Sequence, residues 1–330
     1  MRKCLSIVLS GILIILFAGC SSGDGDSSGG TKSGSSSIYL TDVKSVAAGD
    51  NHALALKNDG TVWAWGCNGN GQLGDGTTSN RYTPIKVKNL TGITAIAAGG
   101  ANGFDFSLAL KNDGTVWAWG YNQYGQLGDG TNVDEYRPIE VPGLMNIIAI
   151  AAGCNHGVAL KDDGTVWVWG PNDYGTLGDG TTTKRSSAVQ VSGLTGVTAV
   201  TAGYLHTVAI KDDGTVWAWG LNYTGQLGDG TTIDRCNPVQ VIGLTGITSI
   251  KSKGTNTIAL RNDGTVWGWG NNGWGQLGDS TLTSRYTPVQ VMTTADVLAI
   301  YTGDIYHMNG TDVVGLTGIS AIEAGCYTTF

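Results

Sequence analysis

Residues 53–66, ALALKNDGTVWAWG, set alternating apolar positions on either side of a polar break. Period-two alternation marks a strand, and Asp-Gly between two such runs marks a hairpin, because glycine adopts the positive φ such turns need. The stretch returns, barely altered, at 107–120, 157–170, 207–220 and 257–270. Taking Asp59-Gly60 as a tight turn pairs Leu56 with Trp63, Leu54 with Trp65 and Ala55 with Ala64. The same register pairs Leu160 with Trp167, Ile210 with Trp217 and Leu260 with Trp267. Each hairpin then carries a bulky Leu/Trp face and a small Ala face. A sheet that is apolar on both faces must be covered on both, and stacking the large face of one unit on the small face of the next achieves this along the whole array. The fold class expected is all-β, a β-propeller.

The hairpin sits in a unit of about fifty residues, and such a period decides architecture before anything else does. Each unit reads approximately P-x-x-V, GLTGITAIAAG, the hairpin, then GxNxxGQLGDGTT. That predicts four short strands, exemplified by 84–87, 93–98, 53–57 and 62–65. The glycine closing the AAG segment falls at Gly49, Gly99, Gly153, Gly203, Gly254 and Gly303, with spacings of 50, 54, 50, 51 and 49. The longer second spacing comes from GGANGFDF (99–106), an insertion expected in a loop. The turn glycines Gly60, Gly114, Gly164, Gly214 and Gly264 are read as structural. So are the paired tryptophans Trp63, Trp65, Trp117, Trp119, Trp167, Trp169, Trp217, Trp219, Trp267 and Trp269, whose fixed place opposite leucine points to core packing.

Over residues 46 to about 290 these units resemble the regulator-of-chromosome-condensation repeat family, whose repeats run AxGxxHxxAL, DGxVxxWG, NxxGQLG. The resemblance implies a seven-bladed propeller with four strands per blade, working mainly as a protein-interaction platform. The chain itself predicts five complete blades and an incomplete sixth and seventh. Its sixth unit passes from YTGDIYH (301–307) almost directly to VGLTGISAIEAG (314–325), without a hairpin. The first unit begins at DVKSVAAG with no P-x-x-V strand before it. The expectation is a truncated copy with exposed edges.

Residues 1–20 read as a signal peptide: Arg2 and Lys3 precede an apolar run too short to span a membrane. Its end, Phe17-Ala18-Gly19-Cys20, resembles a bacterial lipobox, which implies lipidation at Cys20. Residues 21–37 are almost pure Ser/Gly linker, with a root-mean-square reach of roughly 20–25 Å. Residues 38–330 form the repeat domain. The expected location is the cell envelope, at an outer membrane or cell surface, with membrane contact through the lipid anchor alone.

Formal net charge is −7, and loss of Arg2 and Lys3 takes it to −9. A nucleic-acid partner calls for a basic surface, so none is expected. His52, His156 and His206 stand three residues after the AAG glycine, but Phe106, Thr257 and Tyr306 fill the same slot in other units. A shared metal site is not implied, and no cofactor is expected. Asp75, Asp129, Asp179, Asp229 and Asp279 recur in GDGT-like loops, where a short carboxylate forms turns. Cys67, Cys154, Cys236 and Cys326 follow no repeating disulfide framework. No catalytic motif appears, so the protein is not read as an enzyme.

Aromatic residues that break the repeat in loops are the candidate partner-binding positions: Phe104, Phe106, Tyr121, Tyr124, Tyr174, Tyr204, Tyr223 and Trp274. Tyr and Trp are favoured interface anchors. The expectation is a non-enzymatic propeller binding a protein partner through blade loops. A secreted inhibitor resembling propeller-type β-lactamase inhibitors is the alternative. Guanine-nucleotide exchange is a third, opposed by the export signal.

Overall fold

A computed structural model describes residues 39–292. They form five four-stranded antiparallel sheets, each a meander with its strands in chain order. The first blade holds β1 (Val43–Ala48), β2 (His52–Lys57), β3 (Val62–Gly66) and β4 (Arg81–Lys86). The second holds β5 (Ile93–Gly99), β6 (Phe106–Lys111), β7 (Val116–Gly120) and β8 (Glu135–Glu140). The third runs β9 (Ile147–Ala152), β10 (Gly157–Lys161), β11 (Val166–Gly170), β12 (Arg185–Gln190). The fourth is β13 (Val197–Ala202), β14 (His206–Lys211), β15 (Val216–Gly220), β16 (Arg235–Gln240), and the fifth β17 (Ile247–Lys253), β18 (Asn256–Arg261), β19 (Val266–Gly270), β20 (Arg285–Gln290).

The P-x-x-V strand closes the sheet of the hairpin before it, as β4 does beside β3. Each blade therefore ends with that strand instead of opening with it, and the first blade, expected to lack one, is complete with β4. The expected sixth and seventh units and the leader lie outside the described residues.

The hairpin register differs from the two-residue reading. Lys57 N donates to Thr61 O at 2.9 Å, and Gly60 N donates back to Lys57 O at 3.0 Å, with Gly60 at φ +75°. This is a type I turn followed by a left-handed glycine, a three-residue loop. Asp59 completes it, its Oδ1 accepting from Thr61 N and Oγ1 at 2.9 and 2.6 Å, bonds that hold the carboxyl below its usual pKa. The extra loop residue shifts every pair by one: Leu56 meets Val62, Ala55 meets Trp63, Leu54 meets Ala64 and Ala53 meets Trp65. Such a slip exchanges faces. Tryptophan therefore shares its face with alanine, and Leu54, Leu56, Val62 and Ala64 make the other.

Stacking follows from that division. Trp117, Trp119 and Ala109 of the second blade seat against Leu54, Leu56, Val62 and Ala64 of the first. Trp169 and Ala159 repeat the arrangement on Leu108, Leu110 and Val116. Trp219 and Trp269 do the same at the next two interfaces. The second tryptophan of each pair is fully buried from Trp119 onward, whereas the first is half-buried and caps its own turn, as Trp117 Nε1 does on Thr115 Oγ1 at 3.2 Å. Trp63 and Trp65 of the first blade are half-buried. The innermost strands β1, β5, β9, β13 and β17 adjoin in that order. Lys253 Nζ, on the fifth, reaches back to Ala48 O on the first at 3.2 Å.

Candidate functional site

In each meander the first and third connections lie at one end of the sheet, and the DG turns at the other. The AAG-type loops and the NxxGQLG loops therefore share a single face. Neighbouring blades join there: Asn70 Nδ2 donates to Gly103 O at 2.7 Å, and Cys154 N donates to Gly203 O at 3.3 Å.

The repeated polar residues of this face are consumed in holding it together. His52 Nε2 lies 2.8 Å from Ser107 Oγ, His156 Nε2 3.0 Å from Thr207 Oγ1, and His206 Nε2 2.6 Å from Ser252 Oγ, each partner on the next blade. Ser107 and Thr207 donate their own protons to Gln72 O and Thr176 O, so they accept from the imidazoles. His156 and His206 are fully buried, and burial depresses their pKa to about 3, with the nearby His156 adding to the effect on His206. They are neutral inter-blade staples. Among the described residues no group of His, Cys, Asp or Glu is arranged to hold a metal ion.

The slot that sequence counting gave to Thr257 belongs to Asn256, which pairs with Gly270 as His206 pairs with Gly220. Lys253, not Gly254, then stands where Gly203 stands. The reason is steric. A methyl at Gly203 would meet the His206 ring at 2.1 Å, and one at Gly49 or Gly153 would meet its own histidine as closely. Glycine is required beneath a ring, and where Asn256 replaces the ring the glycine is no longer needed.

Phe106, read as a loop binder, is instead fully buried on β6 in the histidine slot. Ahead of it the insertion supplies Asp105, also buried, with Oδ1 3.4 Å from His52 Nδ1 and accepting from Asp50 N at 2.9 Å. Burial raises the Asp105 carboxyl, but His52 and the two amides outweigh it and hold it below the usual carboxylate value.

The GDGT aspartates act as turn formers. Asp75 Oδ1 accepts from Thr77 N at 2.9 Å, and the buried Asn68 ties that loop together from Leu73 N to Ser79 O. Four of the five loops, those of Asp75, Asp179, Asp229 and Asp279, also contain an arginine that sequence reading missed. Arg81 chelates Asp75 Oδ2, Arg185 pairs with Asp179 at 2.8 Å, Arg235 with Asp229 at 2.7 Å, and Arg285 with Asp279 at 2.5 Å. Its constant place six residues after the aspartate was the available signal.

The loop aromatics all fall on this face. Phe104, Tyr121 and Tyr124 form one cluster, with ring centroids 4.7, 6.4 and 6.0 Å apart. Tyr174, Tyr223 and Trp274 stand exposed on successive blades, Trp274 the most at 63%. Tyr204 is half-buried, its backbone N donating to Gly254 O at 2.6 Å. The half-buried Tyr121 hydroxyl is raised in pKa by burial and by the neighbouring Tyr124 and Asp134. Cys67 and Cys236 are half-buried and unbridged.

A family model described as the RCC1-like domain matches residues 19–312. Curated relatives include human E3 ubiquitin-protein ligase HERC2, 39% identical over 33% of this chain and 2% of its own length. The ultraviolet-B receptor UVR8 of Arabidopsis thaliana is 36% identical over 34% of this chain and 26% of its own. The matched segments thus span about a quarter or less of these relatives. Human WBSCR16 superposes with a TM-score of 0.68 at 25% identity, covering 78% of this chain and 69% of that one. Yeast RCC1 (Prp20), solved bound to Kap60, gives 0.65 at 24% identity over 78% and 65%, a likeness of fold.

Proposed function

The chain belongs to the RCC1-like domain family, and on that premise we propose that it is a non-enzymatic binding propeller that holds a protein partner on its loop face. The observation that carries this reading is the recurrence of an exposed aromatic in the third connecting loop of four successive blades. Tyr124, Tyr174, Tyr223 and Trp274 stand solvent-facing on four blades at the same end of the sheets. Exposed aromatics in such an array are the anchors protein interfaces use. Catalysis draws no support from the repeated histidines and aspartates, whose Nε2 and carboxylate oxygen atoms are engaged in staples and turns. A nucleic-acid partner is opposed by the net negative charge. Yeast Prp20p, with the same fold, is described with binding properties to Gsp1p and histones, which fits a family that works through protein contacts.

The propeller is tethered to the cell envelope in this reading, through a lipid on Cys20 and the Ser/Gly linker that follows. Photo-crosslinking residues placed in cells at Tyr223 and Trp274 test both parts, with Met145 at the opposite end as the control. Discrete protein adducts are expected from the loop face alone, in the membrane fraction, and Cys20→Ser should move the protein out of that fraction. Equal adducts from both ends, or none from either, would overturn the binding reading. Unchanged fractionation of Cys20→Ser would overturn the tether.

A further inference from the structure

The second blade departs from its siblings at the loop end, and the departures share a sign. Opposite the last glycine of the third strand, four blades place Arg81, Arg185, Arg235 and Arg285; the second places Glu135 opposite Gly120. The four arginines neutralise their loop aspartates, but Asp129 of the second blade has Glu135 in that place, and burial together with the like charge of Asp129 raises the Glu135 carboxyl. Among the described residues no ion pair reaches Asp129 or Glu135. Asp134, beside Tyr121, accepts from Asn122 N at 2.8 Å. Asp50 reaches the loop of Phe104 from the first blade, accepting from Gly103 N at 3.4 Å.

The aromatic cluster is confined to this same corner. Phe104, Tyr121 and Tyr124 touch one another, so a guest lies across their outer faces and not between them. Phe104 and Tyr124 are 37% and 44% exposed. A ring face attracts a cation, and guanidinium does this best because it also stacks flat and reaches carboxylates with its remaining N–H donors. We infer that this corner docks an arginine-bearing basic segment of a protein partner, its guanidinium groups stacking on Phe104 and Tyr124 and meeting Asp134 and Glu135. The inference rests on the loop-face binding reading and adds the chemistry of the partner. Complementary charge makes such docking fast and salt-sensitive.

Fluorescence anisotropy with a short labelled Arg-Ser repeat peptide, against Lys-Ser and Glu-Ser counterparts, tests it on the full chain. The Arg-Ser peptide should bind most tightly and lose affinity as salt rises. Glu135→Arg installs the residue of the four sibling blades, so the fold is kept, and should weaken binding about tenfold; Tyr124→Ser, at an exposed position, should do about the same. Equal binding of the Arg-Ser and Glu-Ser peptides would overturn the inference, as would Arg-Ser binding unchanged in both variants. Crosslinks from Tyr223 and Trp274 lie on other blades and do not depend on this corner. Their persistence alongside a failed peptide test would sink the basic-segment inference alone.

Discussion

The second and fourth blades share a strand order, a hairpin register and a buried tryptophan, Trp119 in one and Trp219 in the other, seated on the preceding blade. Their loop ends have diverged. The second has Phe106, Asp105, Tyr121, Tyr124 and Glu135; the fourth has His206, Leu205, Leu221, Thr224 and Arg235 at the corresponding places. The blade face can vary little, because each side chain on it is met by the next sheet and changes of even a methylene are felt there. The loop end keeps only a small hydrogen-bonded nucleus fixed and leaves its remaining positions open to a ligand.

Acid separates the two blades most strongly. His156 and His206 have folded-state pKa values of about 3, against 6.5 for a free imidazole. The unfolded chain binds protons that the folded one refuses, so their contribution is complete above about pH 6.5 and is lost as pH falls toward 3. Phe106 cannot titrate. Hydrogen exchange followed from pH 7 to pH 4 should show protection falling in β10 and β14 before β6. Uniform loss across all three strands would break the comparison.

A smaller effect is expected where glycine supports a ring. Gly203→Ala pushes a methyl into His206, whose ring supplies all the nearest atoms, and should cost about 1–3 kcal/mol in urea unfolding. Adding His206→Asn copies the Lys253 and Asn256 arrangement of the fifth blade and should recover most of that loss. In the second blade a methyl at Gly99 meets Phe106 at 2.3 Å and also Gly153 O at 2.4 Å. Gly99→Ala with Phe106→Asn should therefore recover little, since backbone does not step aside. Full recovery in both blades would show that the Gly153 carbonyl is not what holds Gly99, and no recovery at Gly203 would show that the His206 ring is not what demands the glycine.

Much of this frame was legible in the sequence. Alternation about Asp-Gly located β2 and β3, and the fifty-residue period supplied the number of sheets described. The register was not legible, because Asp-Gly serves both a two-residue turn and a type I turn with a left-handed glycine. Only the Lys57 to Thr61 bonds distinguish them. The loop face was half legible. Broken periodicity marked Phe104, Tyr121 and Tyr124, but the same rule marked Phe106, which is a core residue because it fills the buried histidine slot at the start of β6. Glu135 escaped notice since its meaning is relational: it matters as the one departure among arginines that sit opposite a strand glycine, a position set by pairing.

The mildest prediction concerns that residue. Glu135→Arg should form with Asp129 the pair that Arg235 forms with Asp229, and it removes a like-charge contact at the same time. Both groups are half-buried, so solvent screens the gain to about 0.5–1 kcal/mol, read as a small rise in melting temperature that fades in high salt. The variant would then be more stable than the parent while binding the basic peptide less well. A stability gain joined to a binding loss is the mark of a charge retained for a ligand, since a residue serving the fold alone would move the two together. If melting temperature falls instead, Glu135 is satisfied by a contact particular to the second blade. Its difference from the fourth blade would then belong to packing.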